Sequence, residues 1–178
     1  MCNNNNNNTI NIMTTRFNND TWLENCRYRE RLCVIENEPL LGCIYGPSRQ
    51  MSEKISPNSL VFVVEMNNST NKIEGIGLIR NCLQHDRRYN VYETGNYNRY
   101  TYRSKYRVDR NRIPEQLVAM FDHILFKEKT HSKRGCGFTR IPPKLFAHEM
   151  CTSVGTESFI KDEIRNTFKR QFETDDVM

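Results

Sequence analysis

The stretch that decides the fold is SLVFVVEMNNSTNKIEGIGLI, residues 59–79. Its first part, residues 60–64, is an unbroken run of leucine, valine and phenylalanine, which favours a β-strand. The middle part, NNSTN at 67–71, consists of turn-forming residues. KIEGIGLI at 72–79 is a second apolar run that returns along the first. The pattern predicts a β-hairpin at the centre of the fold.

A second stretch, YNRYTYRSKYRV at 97–108, alternates aromatic and basic residues. Successive side chains of a strand point to opposite faces, so a strand here would have an aromatic face and a basic face. We expect Tyr100, Tyr102 and Tyr106 to share the aromatic face and to lie in the core. The basic face carries Arg99, Arg103, Lys105 and Arg107.

The remaining residues predict an α+β protein. Residues 1–19 are polar and rich in asparagine, so we expect a disordered tail, whereas residues 20–178 suit a single domain. Apolar residues at helical spacing follow Pro114 and recur at 156–172, where they predict a C-terminal amphipathic helix. Further strands are predicted near residues 89–94 and 97–109. Together these elements predict a small curled β-sheet or barrel with flanking helices.

The positive charge is concentrated in one window. The chain has 178 residues and a net charge of +5, and residues 87–112 contain eight basic and two acidic residues. A concentrated positive field on a nearly neutral body favours a polyanion such as nucleic acid as partner. A solvated basic strand face is the alternative reading of the same pattern.

The cysteines and the first residues indicate the compartment. The seven cysteines include no C-x-x-C pair, which favours reduced thiols in the cytoplasm or nucleus. His148 and Cys151 lie one helical turn apart, but a structural zinc site needs a second ligand pair. MCNNNNNN lacks the regions of a secretory signal. The longest strongly apolar run, residues 60–64, is too short to cross a bilayer, so we expect no membrane association.

Several phrases of the chain resemble the PUA-like superfamily in its YTH, EVE and ASCH branches. They are PNSLVFVVEM at 57–66, IEGIGLI at 73–79, YRVDR followed by IPEQL at 106–117, and SKRGCGFTRIPPKL at 132–145. The resemblance covers about residues 20–145 and implies a PUA-like fold. The 21 asparagines are typical of an AT-rich coding genome, such as that of a large DNA virus.

The resemblance implies a nucleotide pocket beside the sheet and an adjacent basic surface for the nucleic-acid backbone. YTH pockets use tryptophans, but the single tryptophan here, Trp22, precedes the first predicted strand, and Tyr45 occupies a cage position. The implied pocket therefore has no assigned base preference. The candidate pocket residues are Trp22, Tyr45, Ser48, Asn67 and Tyr97. The candidate phosphate-binding residues are Arg99, Arg103, Lys105, Arg107, Arg110, Arg112, Lys133 and Arg134.

The expected function is nucleic-acid binding, with RNA favoured over DNA and no cofactor. The first alternative is a virion or structural protein that packs nucleic acid without reading its bases. The second is an ASCH-like hydrolase of modified nucleosides that would use Lys54, Glu65 and Lys72. The chain contains no nucleophile elbow, P-loop or H-E-x-x-H motif, so catalysis stays open and no catalytic residue is assigned.

Overall fold

The computed structural model of the chain describes residues 10–35, 42–127 and 131–172. The strands are β1 (Asn11–Phe17), β2 (Cys43–Tyr45), β3 (Leu60–Asn67), β4 (Lys72–Arg80), β5 (Tyr102–Ser104), β6 (Arg107–Asp109) and β7 (Thr139–Arg140). The helices are α1 (Asn19–Ile35), α2 (Glu115–Phe126), α3 (Pro143–Phe146), α4 (Glu149–Val154) and α5 (Glu157–Phe172). The predicted α+β class is confirmed.

The predicted hairpin is confirmed, because β3 and β4 pair antiparallel over their whole length. A β-bulge shifts the register between Glu65 and Met66. As a result Ile73 and Ile76 belong to the same buried cluster, although strict alternation would place them on opposite faces. The bulge therefore keeps Ile73 and Ile76 on the same core surface.

The first described strand, β1, lies inside the main sheet. The strand order is β6-β4-β3-β1-β7, with β1 parallel to β3 and antiparallel to β7. The predicted disorder of residues 1–19 is wrong for residues 10–19: Ile12, Met13 and Phe17 are buried, and α1 begins at Asn19. Residues 1–9 of the predicted tail lie outside the described residues.

One face of the main sheet is covered by α2, α3, α4 and α5. The predicted C-terminal helix is confirmed as α5, and its residues Ile160, Ile164 and Phe168, spaced by four, are buried in this cluster. The ring of Phe168 lies 5.4 Å from that of Phe62 in β3. Spacing by four places apolar side chains on one side of a helix, which explains why α5 packs on the sheet.

The other face is covered by α1 and by a two-stranded sheet of β2 and β5. The predicted continuous strand at 97–109 is wrong, because β5 pairs with β2 whereas β6 pairs with β4. Its aromatic residues nevertheless point inward: Tyr102 is buried, and Tyr100 and Tyr106 pack partly buried against the two clusters. No strand forms at 89–94, a segment that the structure describes.

Within the described residues the main sheet is open, with β6 and β7 at its edges. The predicted barrel is therefore not found among these strands. In the described part of the chain, no helix has the length and apolar character needed to cross a membrane.

Candidate functional site

A buried ion pair joins β3 and β6. Arg107 Nη2 lies 2.8 Å from Glu65 Oε2, and the two side chains are 4% and 1% exposed. Arg107 Nε also donates to Glu65, at 2.9 and 3.1 Å from its two oxygens. Tyr45 donates its hydroxyl to Glu65 Oε1 at 2.7 Å, and Arg107 Nη1 lies 2.7 Å from Asp109. The network fixes β2, β3 and β6 relative to one another.

Two glycines in β4 make room for this network. β4 lies between β3 and β6, so Arg107 must reach across β4 to contact Glu65. A Cβ atom at Gly75 would lie 2.7 Å from Arg107 Nη2, and one at Gly77 would lie 2.9 Å from Cys43 Sγ. Glycine in a strand interior permits such a close approach, so these positions serve the ion pair and not a turn.

Burial sets the protonation of this network. Burial raises the pKa of Tyr45 well above its usual value, and the charges of Cys43 and Glu65 act in the same direction. Burial also raises the pKa of the Cys43 thiol, to about 12. Burial alone would lower the pKa of Arg107, but the charge and hydrogen bonds of Glu65 raise it overall. At neutral pH Tyr45 and Cys43 are therefore uncharged and Arg107 is a cation.

Two of the predicted phosphate-binding residues are held by the protein itself. Arg107 is buried against Glu65, and its guanidinium also lies 5.4 Å from the Trp22 ring centroid. Arg110 pairs with Asp122 at 2.7 Å and donates to the Ile73 carbonyl at 3.0 Å. The basic residues of 97–108 thus do not form the single surface that the alternation predicts, because Arg107 points inward.

The remaining predicted basic residues reach the surface. Arg103 lies over the Tyr89 ring at 5.3 Å and Lys105 over the Tyr106 ring at 5.0 Å. The fully exposed members are Arg99, Lys105, Arg112 and Arg134. Lys133 is half-buried and lines a pocket. Arg99, Lys105, Arg112, Lys133 and Arg134 form no ion pair within the described chain.

A pocket of about 260 Å³ lies where β1 ends, beside the first turn of α1. We call it the tyrosine pocket and define it by Arg16, Tyr45, Tyr92, Tyr97 and Lys133, which all line it. Its other walls come from the residues after β2 and from the loop before β7. Ligand pockets typically measure about 300–1,000 Å³, so this one suits a single small group.

Aromatic rings form one side of the tyrosine pocket. The predicted residues Tyr45 and Tyr97 both line it, together with Tyr92 and Pro47. Tyr97 is 40% exposed, and its ring packs edge-on to Tyr92 with centroids 5.6 Å apart. Tyr45 is buried and bonded to Glu65, so it forms part of the wall and is fixed in place. Tyr97 is the ring with an accessible face.

Two cations, Arg16 and Lys133, also line the tyrosine pocket. Arg16, half-buried in β1, donates from Nε to the Ser132 carbonyl at 2.6 Å and from Nη1 to Thr139 Oγ1 at 3.0 Å. Burial lowers the pKa of Arg16, and Cys136 opposes this shift. Gly135 and Gly137 line the pocket as well. None of the described residues that line the pocket carries a carboxylate.

The other predicted pocket residues have different surroundings. Trp22 packs edge-on against Phe17 at 5.2 Å, and Phe17 lines the tyrosine pocket whereas Trp22 does not. Asn67 is buried, and its Oδ1 accepts from the amide of Ser69 at 3.0 Å in the β3–β4 turn. Ser48 Oγ lies 2.9 Å from Cys136 Sγ, and Cys136 lines the pocket. Trp22 and Asn67 stabilise the fold, whereas Ser48 contacts a residue that lines the tyrosine pocket.

Sequence reasoning missed three residues of the tyrosine pocket. Arg16 falls in the segment predicted as a tail, Asn68 in the hairpin turn, and Tyr92 in a segment predicted as a strand. IMTTRF at 12–17 does not alternate, but its β-branched and aromatic residues favour a strand, and this composition is the signal that would have placed Arg16 near the end of a strand. Asn68 carries no comparable signal, because asparagine is also the ordinary residue of turns.

Tyr92 also lines a neighbouring groove. We call it the arginine groove and define it by Arg27, Arg31 and Arg88, which line it together with Glu24 and Glu93. The three arginines are exposed, and Arg31 lies over the Tyr28 ring at 4.8 Å. None of the three pairs with a carboxylate of the described chain. The arginine groove and the tyrosine pocket are thus adjacent, with Tyr92 as their common wall.

The residues considered for metal binding and hydrolysis are dispersed. Among the described residues, no group of three or more His, Cys, Asp or Glu side chains could hold a metal ion. The buried Cys151 donates to the Leu145 carbonyl at 3.2 Å. Glu65 is bonded to Tyr45 and Arg107, whereas Lys54 and Lys72 are exposed.

The tyrosine pocket and the arginine groove therefore provide aromatic stacking faces, cations and polar groups in one region. Comparison of the chain with protein-family models, with curated proteins and with solved structures finds no match.

Proposed function

We propose that this chain is a nucleic-acid-binding protein that holds one nucleotide of a single strand in the tyrosine pocket. The observation that carries the proposal is the meeting of one accessible aromatic ring, Tyr97, and two cations without a carboxylate partner among the described residues, Arg16 and Lys133, in one small pocket. Aromatic side chains stack on unpaired bases, and cations bind the phosphates on either side of them. Neither group alone would favour a nucleotide over another anion or another apolar ligand.

Tyr97 is the proposed stacking residue. Its ring is partly exposed and rests against Tyr92, which in turn is fixed by the Asn25 amide at 3.0 Å from its hydroxyl. A ring held in this way loses little conformational entropy when a base stacks on it. The base would lie between Tyr97 and the wall formed by Tyr45 and Pro47.

The arginine groove is the proposed path of the adjoining strand. Arg27, Arg31 and Arg88 have no carboxylate partner among the described residues, so they can bind phosphates without breaking an ion pair. Lys133 and Arg134 extend the positive surface on the other side of the tyrosine pocket. Among the residues predicted from the alternation, Arg99, Lys105 and Arg112 remain as more distant contributors.

RNA is the proposed nucleic acid, and a PUA-like fold is the proposed family setting. Sequence-specific RNA recognition uses single strands whose bases are splayed out and stacked on aromatic rings, which matches the tyrosine pocket. The open mixed sheet with helices around it is compatible with a PUA-like origin. The described cysteines are all free thiols, which fits the proposed reducing location. A virion protein that packs nucleic acid would need the basic surface but no pocket.

The test is the affinity of Tyr97→Ala for a single-stranded oligonucleotide, measured by fluorescence anisotropy at several salt concentrations. Loss of one stacked base should weaken binding by about 1–3 kcal/mol. The salt slope should not change, because no phosphate contact is removed. RNA and DNA of one sequence, and the corresponding duplex, are compared in parallel.

Phe159→Ala is the matched control, because Phe159 is also an exposed aromatic residue, 47% exposed, but lies on α5. It should bind like the unchanged protein. Equal affinity of Tyr97→Ala and the unchanged protein for every strand would exclude the pocket from binding and favour non-specific packing. Absence of binding to any nucleic acid would overturn the proposed function itself.

A further inference from the structure

We propose that the tyrosine pocket selects a nucleotide with a terminal phosphate, that is, a phosphomonoester at the end of a strand. This inference rests on the proposed function. It assigns a substrate class to the pocket, and it gives Arg16, Lys133 and the backbone of residues 135–137 the role of a phosphate site.

The charge of Arg16 requires an anion. The guanidinium is half-buried in β1, and its two protein acceptors are a carbonyl and a hydroxyl, both of them neutral. No carboxylate of the described chain lies within ion-pair distance of it. A buried cation without a counter-charge is costly unless a ligand supplies one. Arg16 also lines the tyrosine pocket, so a negative charge that balances its guanidinium would lie in that pocket.

A second cation and free backbone amides complete the phosphate site. Lys133 lines the pocket on the same side as Arg16. Gly135 and Gly137 have φ values of 141° and 65°, a backbone that glycine permits. The amides of residues 135–137 donate to no described acceptor, and consecutive free amides form anion-binding concavities. A Cβ atom at Gly135 would lie 3.1 Å from Arg16 Cζ, which places this backbone directly beside the guanidinium.

The charge count distinguishes a terminal phosphate from an internal one. A phosphodiester carries one negative charge, whereas a phosphomonoester carries about 1.5 to 2 at neutral pH. Two cations and no described carboxylate line the pocket, so a dianion is the matching ligand. A diester would leave one cation without a partner.

Asn68 indicates that the ligand also carries a hydrogen-bond donor. Its Nδ2 donates to the Lys133 carbonyl at 3.1 Å, which fixes the orientation of the amide. Its Oδ1 is buried and has no partner, while the residue lines the tyrosine pocket. An unsatisfied acceptor costs free energy that a donor on the ligand would recover. An amino group of a base or a ribose hydroxyl is such a donor.

The experiment compares one single-stranded RNA sequence in three forms: with a 5′-phosphate, with a 3′-phosphate and with hydroxyls at both ends. Binding is measured by competition against a labelled strand at fixed ionic strength. One phosphorylated form should bind at least about tenfold more tightly than the unphosphorylated form, as charge-assisted hydrogen bonds predict. Lys133→Ala should reduce that ratio to about twofold or less.

Arg134→Ala is the matched control, since it removes the same charge from the neighbouring position, which is exposed and does not line the pocket. It should weaken the binding of all three RNA forms equally, so that the ratio of affinities for the phosphorylated and unphosphorylated forms stays the same. The inference is overturned if end phosphates change the affinity by less than about threefold, or if both variants lower the ratio equally. In either case the proposed function stands as long as single strands bind and Tyr97→Ala weakens them.

A nucleoside 5′-monophosphate and the corresponding nucleoside are added as further competitors. If the monophosphate competes as well as the phosphorylated strand, the site accepts a free mononucleotide. This result supports the phosphate site but does not support the binding of a strand. If only the strand competes, the site reads a strand end. If nucleoside and monophosphate compete equally, the phosphate site is excluded.

Discussion

At the scale of single residues, Glu65 and Arg107 form a buried ion pair, to which Tyr45 and Asp109 add hydrogen bonds. Removing one side chain leaves the other as a buried charge, which costs about 3–5 kcal/mol in comparable pairs. We therefore expect Arg107→Ala to lower the free energy of unfolding by that amount, measured by urea denaturation. Arg99→Ala, at an exposed position of the same segment, should change it by less than about 0.5 kcal/mol. Similar losses in both variants would contradict a structural role for Arg107.

The buried thiol of Cys43 makes stability depend on alkaline pH. Its pKa is about 12 in the fold against a usual 9, so the folded chain keeps a proton that the unfolded chain loses. The contribution of the protonated thiol to the free energy of unfolding is complete below pH 9 and is lost as the pH rises towards 12. Over that range the free energy of unfolding falls by up to about 1.4 kcal/mol per pH unit. Cys43→Ala should make the alkaline decline of the unfolding free energy shallower.

The exposed Cys82 provides the control for this effect. The unfolding free energy of Cys82→Ala should decline with pH as steeply as that of the unchanged protein, because Cys82 is exposed and lies outside the buried network of Cys43. Tyr45 adds to the same decline, since burial raises its pKa as well. An unchanged slope in Cys43→Ala would show that the thiol is not buried in solution.

At the scale of elements, β1 has the largest effect on the fold for its length. Ile12 is buried between the sheet and the helices that cover it. Ile12→Ala should reduce the free energy of unfolding by about 2–5 kcal/mol, as for other buried aliphatic residues. Val34→Ala, at an 81% exposed position of α1, should be nearly neutral. If Ile12→Ala leaves the free energy of unfolding unchanged, the result would instead favour a disordered tail in this segment.

Elements with a strong local pattern could be predicted from the sequence, and elements that depend on distant partners could not. The β3–β4 hairpin and α5 have apolar periods that specify them locally. β1 is short and follows an asparagine run, so its partner β3 decides its structure. The segment 97–109 has one continuous alternation, but it divides where β5 turns to pair with β2.

The residues of the candidate site show the same difference between local patterns, which can be predicted, and distant partners, which cannot. Tyr45 was predicted because an aromatic residue in a loop suggests a pocket, and Tyr97 because it shares the basic side of the alternating segment. Arg16 was not, because it reaches residue 139 through a hydrogen bond that spans 123 residues of sequence. The predicted basic face failed at Arg107 for a related reason. Its partner Glu65 and the two glycines that admit it are not adjacent to it in sequence.

At the scale of the whole molecule, the main sheet separates two buried clusters. The larger lies between the sheet and α2, α3, α4 and α5, and the other lies under α1 and the β2–β5 sheet. The tyrosine pocket lies at the edge of the second cluster, where five separate segments meet. Its shape therefore depends on the complete tertiary fold, and we expect nucleotide binding to disappear in any variant that loses tertiary structure.

The position of β1 inside the sheet also has a consequence for how the chain folds during synthesis. β1 is the first described strand to be made, yet its parallel partner β3 begins 50 residues later and its other neighbour β7 lies 125 residues away. At about 5–20 residues per second, the ribosome adds β3 only several seconds after β1. During that interval an apolar strand with two open edges is exposed to other nascent chains and to chaperones. Contacts between residues far apart in sequence slow folding. We therefore expect the pairing of β1 with β7 to form last. The same part of the chain forms the phosphate side of the pocket.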